Sequence, residues 1–252
     1  MSVATELNPN EFNSKRDLED LLIEQLSPRT GGRALKKQQE EPANFGNEYW
    51  RKYRKPFWFR LVKILEERPK KIELPRYWAW RTLVAACDGN CRWFLDLADE
   101  CWRLYWSKGG LRPLSTKEQG KALSRLAERV NRKCGSFGDK GDILRELVRR
   151  VAQRLHNHLY GSTYIHAERT NVGIIDASTK QRDAIALGIA YSFFVPRLTE
   201  ETSYEEIYVY PTTDVEVRLG YPISVAHHLL MRSVSTLRID DLRQAELPLW
   251  PS

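Results

Sequence analysis

The sequence has little cysteine, no long apolar run and no secretory leader, and each absence excludes a class of protein. Four cysteines among 252 residues are too few for a disulfide framework. No apolar run approaches the roughly 18 residues that cross a bilayer, and the amino-terminal stretch lacks the basic flank and apolar core of a signal peptide. We therefore expect a cytoplasmic protein with reduced thiols and no membrane partner.

The motifs of common hydrolases are also missing. The phosphate-binding loop Gly-x-x-x-x-Gly-Lys-Ser/Thr does not occur, and Thr30-Gly31-Gly32-Arg33 has neither its spacing nor its lysine. There is no His-Glu-x-x-His pair and no nucleophile elbow. We expect no catalytic residues and no ATP hydrolysis by the chain alone, which would then bind no cofactor by itself.

Cys87 and Cys91 are spaced to share one helix face, which raises the question of a metal site. A structural zinc ion needs four ligands, usually from two close pairs, and the sequence has no second pair. We interpret both cysteines as small buried side chains rather than metal ligands.

Positive charge is concentrated in two blocks. The chain carries a net charge of +7; residues 48–81 carry +7 and residues 114–154 carry +6, whereas residues 82–113 are neutral and residues 155–252 carry −4. Such blocks attract polyanions through counterion release, although they also suit solvated helix faces. Nucleic acid and an acidic protein surface both remain open as partners.

The order of patterns predicts a mostly α, α+β fold. A short helix over about 14–26, opened by Ser14 and Asp17, precedes a flexible connection over 29–47. We expect further helices over 76–87, 92–106, 115–134 (with a Ser115–Glu118 capping box), 143–158, 180–193 and 222–231, strands over 162–167, 171–176, 206–210 and 215–219, and a tail over 242–250. The predicted domains are 1–47, 48–134 and 135–252.

The segment Tyr49–Trp58 mixes aromatic rings with bases, so it could stack on nucleic acid. We favour a simpler interpretation, a helix with its bases outward and its apolar residues inward. Its expected apolar stripe consists of Phe57, Phe59, Leu61, Ile64 and Leu65.

The most informative motif is Asp88-Gly89-Asn90-Cys91-Arg92, between two predicted helices. Gly89 suits a helix end, and Asn90 can cap the next helix. The motif resembles the Gly-Asn-x-Arg element of AAA+ lid domains. That resemblance implies that Gly89 and Asn90 place Arg92 at a helix amino terminus, where its guanidinium senses the terminal phosphates of ATP held by another domain.

The order of elements after this motif is similar to the carboxyl-terminal part of bacterial origin-recognition-like (ORC/Cdc-type) AAA+ ATPases, over about residues 76–247. The resemblance implies a helical lid-like bundle at about 76–134 and a winged-helix-like module at about 140–235, truncated or split from a nucleotide-binding core. Cys91 departs from the proline that is frequent in related motifs.

The resemblance implies a non-catalytic DNA-binding and assembly module, with ATP present only in complex with a partner ATPase chain. The expected nucleic-acid contacts are Arg125, Arg129, Arg132, Lys133, Arg145, Arg149 and Arg150. An alternative is a protein-interaction adaptor that completes or regulates a partner ATPase without binding DNA.

Overall fold

The computed structural model describes residues 15–67, 76–110, 112–167, 169–174, 177–197, 215–231 and 236–239. The chain forms two compact units. The first unit comprises residues 1–76 and 156–168, and the second comprises residues 77–155 and 169–252. These bounds differ from the three ranges expected from the sequence. The fold class is confirmed, because the described elements are mostly helices, with one small sheet.

The first unit is helical. Its elements are α1 (Lys15–Glu24), α2 (Pro28–Glu40), α3 (Pro42–Phe45), a π-helical turn (Gly46–Trp50) and α4 (Arg51–Glu67), with the end of a later helix. Leu18 and Leu22 of α1 are fully buried, and so are Phe45, Phe57 and Leu65 of the same unit. Burial of each such side chain contributes roughly 1.5–3 kcal/mol relative to exposure.

The flexible connection expected over 29–47 is wrong, because Pro28–Glu40 and Pro42–Phe45 are helical. Gly31, Ala34 and Gln38 are buried on one face of α2, and a Cβ on Gly31 would lie 3.0 Å from the Ile23 carbonyl oxygen. The small residue thus lets α2 approach the end of α1 closely. This packing outweighs the cost of about 1 kcal/mol for a glycine inside a helix.

The helical interpretation of the aromatic and basic segment is confirmed. Helix α4 buries Phe57, Trp58 and Phe59, whereas Arg51 and Arg54 are exposed. Ile64, expected on the apolar stripe, is 41% exposed instead.

The strand expected over 162–167 is absent, and the described backbone there is irregular. Its polar groups have partners other than a neighbouring strand. The Arg60 guanidinium donates to the carbonyl oxygens of Ser162 (2.9 Å) and Thr163 (3.3 Å), and the Ile165 amide donates to the Gln25 carbonyl (2.8 Å).

The second unit combines helices with a four-stranded sheet. Its elements are α5 (Trp80–Ala85), α6 (Cys91–Ser107), α7 (Thr116–Lys133), most of α8 (Gly138–Tyr160), β1 (Asn171–Ile174), α9 (Thr179–Ala190), β2 (Phe194–Pro196), β3 (Val215–Leu219), α10 (Tyr221–Ala226) and β4 (Thr236–Ile239). The strand order is β2-β3-β1-β4. Strand β3 is antiparallel to both β1 and β2, and β4 is parallel to β1. The strand expected over 206–210 and the tail over 242–250 lie outside the described residues, as does Ser14.

Helix α7 organises the helical part of this unit. Ala122, Leu123, Leu126, Ala127 and Val130 recur at helical spacing and are buried, and α7 contacts both α6 and α10. The predicted capping box is confirmed, because Ser115 and Glu118 each accept a hydrogen bond from the other's backbone amide. The carboxylate of Glu118 also binds Arg112, and with these bonds its pKa falls to about 2.

Candidate functional site

The turn between α5 and α6 has the backbone that the sequence predicts. Asp88 (φ 52°) and Gly89 (φ 74°) adopt the left-handed conformation. The side chain of Asn90 then accepts hydrogen bonds from the amides of Arg92 (3.0 Å) and Trp93 (3.3 Å), so it caps α6 as expected. Arg92 consequently lies in the first turn of α6, where the helix dipole favours an anion.

The Asp88 carboxylate holds this turn against the sheet of the same unit. It accepts two hydrogen bonds from the Arg218 guanidinium, at 2.7 and 2.6 Å, and a third from the Tyr221 amide at 3.1 Å. The Arg218 guanidinium also lies over the Tyr221 ring, 4.2 Å from its centroid. Both members of the ion pair are largely buried, with side chains 8% and 14% exposed. Sequence reasoning missed Arg218, because nothing in a strand pattern indicates a partner 130 positions away.

Arg92 itself is exposed. In the part of the chain that the structure describes, its guanidinium makes no ion pair and no hydrogen bond. Two carboxylates that could have neutralised it are engaged elsewhere, since Asp88 binds Arg218 and Asp99 binds Arg103 at 2.9 Å. Arg92 is therefore available to an anion from outside the described residues.

The expected nucleic-acid residues on α7 have different surroundings. Arg125 and Arg129 both pair with Glu100 of α6, whose side chain is only 7% exposed. The Arg125 nitrogen lies 3.5 Å from the carboxylate, and Arg129 donates a short hydrogen bond to it. Arg132 and Lys133, at the end of α7, have no carboxylate partner among the described residues.

The expected residues on α8 pair with carboxylates of their own helix. Arg145 binds Asp142 at 2.7 Å, and both side chains are about two-thirds exposed. Arg149 and Arg150 share Glu146, at 2.7 and 2.6 Å. Hydrogen bonds from these two guanidinium groups, that of Arg149 foremost, lower the pKa of Glu146 to about 2. Each ion pair spans only one helical turn.

Comparison with known proteins gives one result. The sequence matches the model of a family described as ORC-CDC6-like over residues 4–236. The chain belongs to the ORC-CDC6-like family. This membership relates it to the origin-recognition AAA+ proteins. Neither a curated protein nor a solved structure matches it.

The family match extends beyond the resemblance seen in the sequence. That resemblance began at about residue 76, whereas the ORC-CDC6-like match begins at residue 4 and includes α1 to α4. The family match thus includes the described helices of the first unit, among them residues 29–47, which the sequence had predicted to form only a connection.

The sheet of this ORC-CDC6-like chain and the helix between its strands can be compared with the expected winged helix. A helix-turn-helix joins two helices through a short turn. Between β1 and β2 the described residues contain α9 alone, and its Asp183 pairs with Lys140 of α8 at 3.1 Å. Strands β2 and β3 form an antiparallel pair that suits a wing. The winged-helix assignment stays a prediction.

The cysteines of the ORC-CDC6-like chain are free thiols. Cys87 is buried as expected, and burial raises its pKa to about 11. Cys91 is exposed, so its expected burial is wrong; as the first residue of α6 it lies off the face that packs on α7. The described residues contain no group of three or more side chains that could hold a metal ion. Within the same residues, no helix has the length and apolar character to cross a membrane.

Proposed function

We propose that this ORC-CDC6-like chain is a non-catalytic module that binds duplex DNA through basic helix faces and joins an ATPase assembly. The observation that carries the proposal is the position of Arg145, Arg149 and Arg150 on α8. Their partners are carboxylates of the same helix, at the surface. Exposed pairs of this kind are worth at most about 1 kcal/mol. Phosphates can therefore replace those carboxylates at little cost.

Arg132 and Lys133 extend the same role to the end of α7. Among the described residues neither has a carboxylate to release, so each can meet a phosphate directly. Arg125 and Arg129 contribute less, because leaving Glu100 would strand a buried carboxylate. The proposed DNA contact thus rests on the five basic residues that do not pair with Glu100, namely Arg132, Lys133, Arg145, Arg149 and Arg150.

Arg92 supplies the link to an ATPase. An exposed guanidinium at a helix amino terminus, with no partner among the described residues, fits the terminal phosphates of ATP. Because the sequence has no phosphate-binding loop, we propose that ATP reaches Arg92 only when a partner chain holds the nucleotide. Arg92 would then stabilise charge on the transferred phosphoryl group, and the partner would supply the remaining catalytic groups.

The test measures the binding of the full chain to a labelled DNA duplex. Fluorescence anisotropy reports the affinity at each concentration of a salt series. With several phosphates neutralised, affinity should fall by orders of magnitude between about 50 and 200 mM salt. Alongside it, the purified chain should show no ATP turnover. Absence of duplex binding at the lowest salt would contradict the DNA-binding role, and turnover that is lost on changing a residue of this chain would contradict the non-catalytic one.

A second candidate is the protein-interaction adaptor. It is favoured by the pairing of five predicted DNA-contact arginines with carboxylates and by the acidic balance of residues 155–252. Recovery of partners from cells with and without nuclease separates the two functions. An adaptor keeps its partner after nuclease treatment, whereas a partner held through DNA is lost.

A further inference from the structure

Helix α6 is apolar on two opposite faces. Its inner face buries Trp93, Leu97 and Leu104. Its outer face carries Leu95, Trp102 and Trp106, which are 66%, 60% and 56% exposed. Steps of seven and four residues place these three side chains on one line along the helix. We call Leu95, Trp102 and Trp106 the outer stripe. Contiguous apolar side chains on a surface are typical of binding sites.

The rings of the outer stripe are held in position by their neighbours, although each is more than half exposed. Trp102 and Trp106 meet edge to face, with centroids 5.6 Å apart, and Trp102 stacks with Tyr105 at 6.0 Å. A Cβ on Gly110 (φ 67°) would lie 3.0 Å from the Trp106 ring, so the chain leaving α6 packs against that indole. Binding to such rings would cost little side-chain entropy.

A second pair of rings lies at the other end of the helix. Trp80, 65% exposed, meets Phe94 edge to face at 6.1 Å. Aromatic surface is therefore present near both ends of α6.

Positive charge lies beside these rings, although residues 82–113 are neutral by count. The carboxylates of Asp88 and Glu100 pair with arginines from outside this segment, and that of Asp99 pairs with an arginine within it. Within the described residues no carboxylate pairs with three exposed cations near the rings, Arg81, Arg92 and Lys108. Asp96, which is half-buried, is the remaining acid of α6.

We propose that the outer stripe and Trp80 bind single-stranded nucleic acid. Unpaired bases would stack on the indoles of Trp102, Trp106 and Trp80, and Arg81 and Lys108 would attract the phosphates. Exposed rings flanked by cations are the means by which proteins hold single strands without reading their sequence. A duplex cannot use this surface in the same way, because its base faces are already stacked on one another. The inference therefore goes beyond the duplex contact proposed for α7 and α8.

The test uses the full chain and a labelled oligothymidylate of about 20 nucleotides, beside an abasic strand of equal length, at about 50 mM salt. Wild type should bind the strand with bases more tightly. Trp102→Ala/Trp106→Ala should weaken that binding at least roughly fivefold per indole and leave the abasic strand unaffected. Trp102→Phe/Trp106→Phe, which keeps aromatic faces, should give an intermediate affinity.

The matched control is Tyr191→Ala, which removes a ring that is 51% exposed but lies outside the stripe. It should bind both strands as wild type does. The α8 variant Arg145→Gln/Arg149→Gln/Arg150→Gln should lose duplex affinity and keep the difference between strands with and without bases. This result would show that single-strand binding by the outer stripe and duplex binding by α8 are independent, so that either proposal can fail without the other.

Three outcomes would overturn the proposal. Wild type could bind neither strand, it could bind both equally, or the double alanine variant could keep the preference for bases. An equal affinity for both strands, together with a loss of protein partners in the double alanine variant, would assign the stripe to a protein interface instead.

Discussion

The arginines of α7 and α8 are equally good candidates for DNA contacts by sequence, but the carboxylates that they pair with differ in burial. Arg129 of α7 binds Glu100, a carboxylate that is 7% exposed and belongs to another helix. Arg149 of α8 binds Glu146, which is 39% exposed and lies one turn away on the same helix. Removing an arginine from the first pair strands a buried charge, whereas removing one from the second exposes a carboxylate to water. The burial of the partner carboxylate therefore decides the role of a basic residue on a helix. An arginine paired with a buried carboxylate is structural, whereas one paired with an exposed carboxylate is available to a ligand.

The largest effect should come from the pair of Asp88 with Arg218, the most buried of the ion pairs between described residues. Arg218→Ala removes both hydrogen bonds to Asp88, a third to the Leu219 carbonyl oxygen and the contact with Tyr221, and leaves the Asp88 carboxylate bound to one amide. We expect a loss of roughly 3–5 kcal/mol in the free energy of unfolding, measured by urea denaturation.

Arg92→Ala is the control from the same turn, since the Arg92 side chain is exposed and without a partner among the described residues. Its free energy of unfolding should change by no more than about 0.5 kcal/mol. A large loss in Arg92→Ala would mean that this arginine is structural, and would remove it as a phosphate-sensing residue.

The next effect tests the two helices directly. Arg129→Gln should lower the free energy of unfolding by roughly 2–4 kcal/mol, because Arg125 at 3.5 Å is a weaker partner for the buried Glu100. Arg149→Gln should cost no more than about 0.5 kcal/mol, since Arg150 still binds Glu146. Equal losses in the two variants, in the same denaturation experiment, would refute the distinction between α7 and α8.

The smallest effect is the pH dependence of the α8 pairs. The pKa of Glu146 is depressed to about 2 in the folded chain, so its contribution to stability is present above its unfolded pKa, about 4.3. That contribution is lost as the pH falls from about 4.3 toward 2. Because Glu146 is partly exposed, solvent screening limits it to a few tenths of a kcal/mol.

In Arg149→Gln/Arg150→Gln the decline of stability over this pH window should be shallower than in wild type. The measurement is the melting temperature of both proteins as a function of pH. A decline as steep as that of wild type would show that other carboxylates account for it.

How much the sequence predicts depends on how far apart the partners lie in the chain. The Asn90 cap and the Ser115–Glu118 capping box are contacts within a few residues, and both are present. The Asp88–Arg218 pair joins residues 130 positions apart, and no local pattern indicates it. The helix over Pro28–Glu40 was missed because Gly31-Gly32 suits a turn until a neighbouring helix buries Gly31.

The candidate site shows the same limit. Arg92 could be singled out because its motif is contiguous, and the basic helices could be singled out by charge. The sequence cannot show that Glu100 engages Arg125 and Arg129, because an acid on an amphipathic helix is usually solvated. Which arginines are available to a ligand is therefore a property of the packing.

The central claim, that the α8 arginines contact DNA phosphates, is tested most directly by the salt dependence of duplex binding. Each phosphate contact contributes about 0.9 to the slope of log affinity against log salt concentration. Arg145→Gln/Arg149→Gln/Arg150→Gln should reduce the slope by up to about 3 relative to wild type, with the fold intact. A slope equal to that of wild type in the folded triple variant would exclude α8 from the DNA contact and contradict the account.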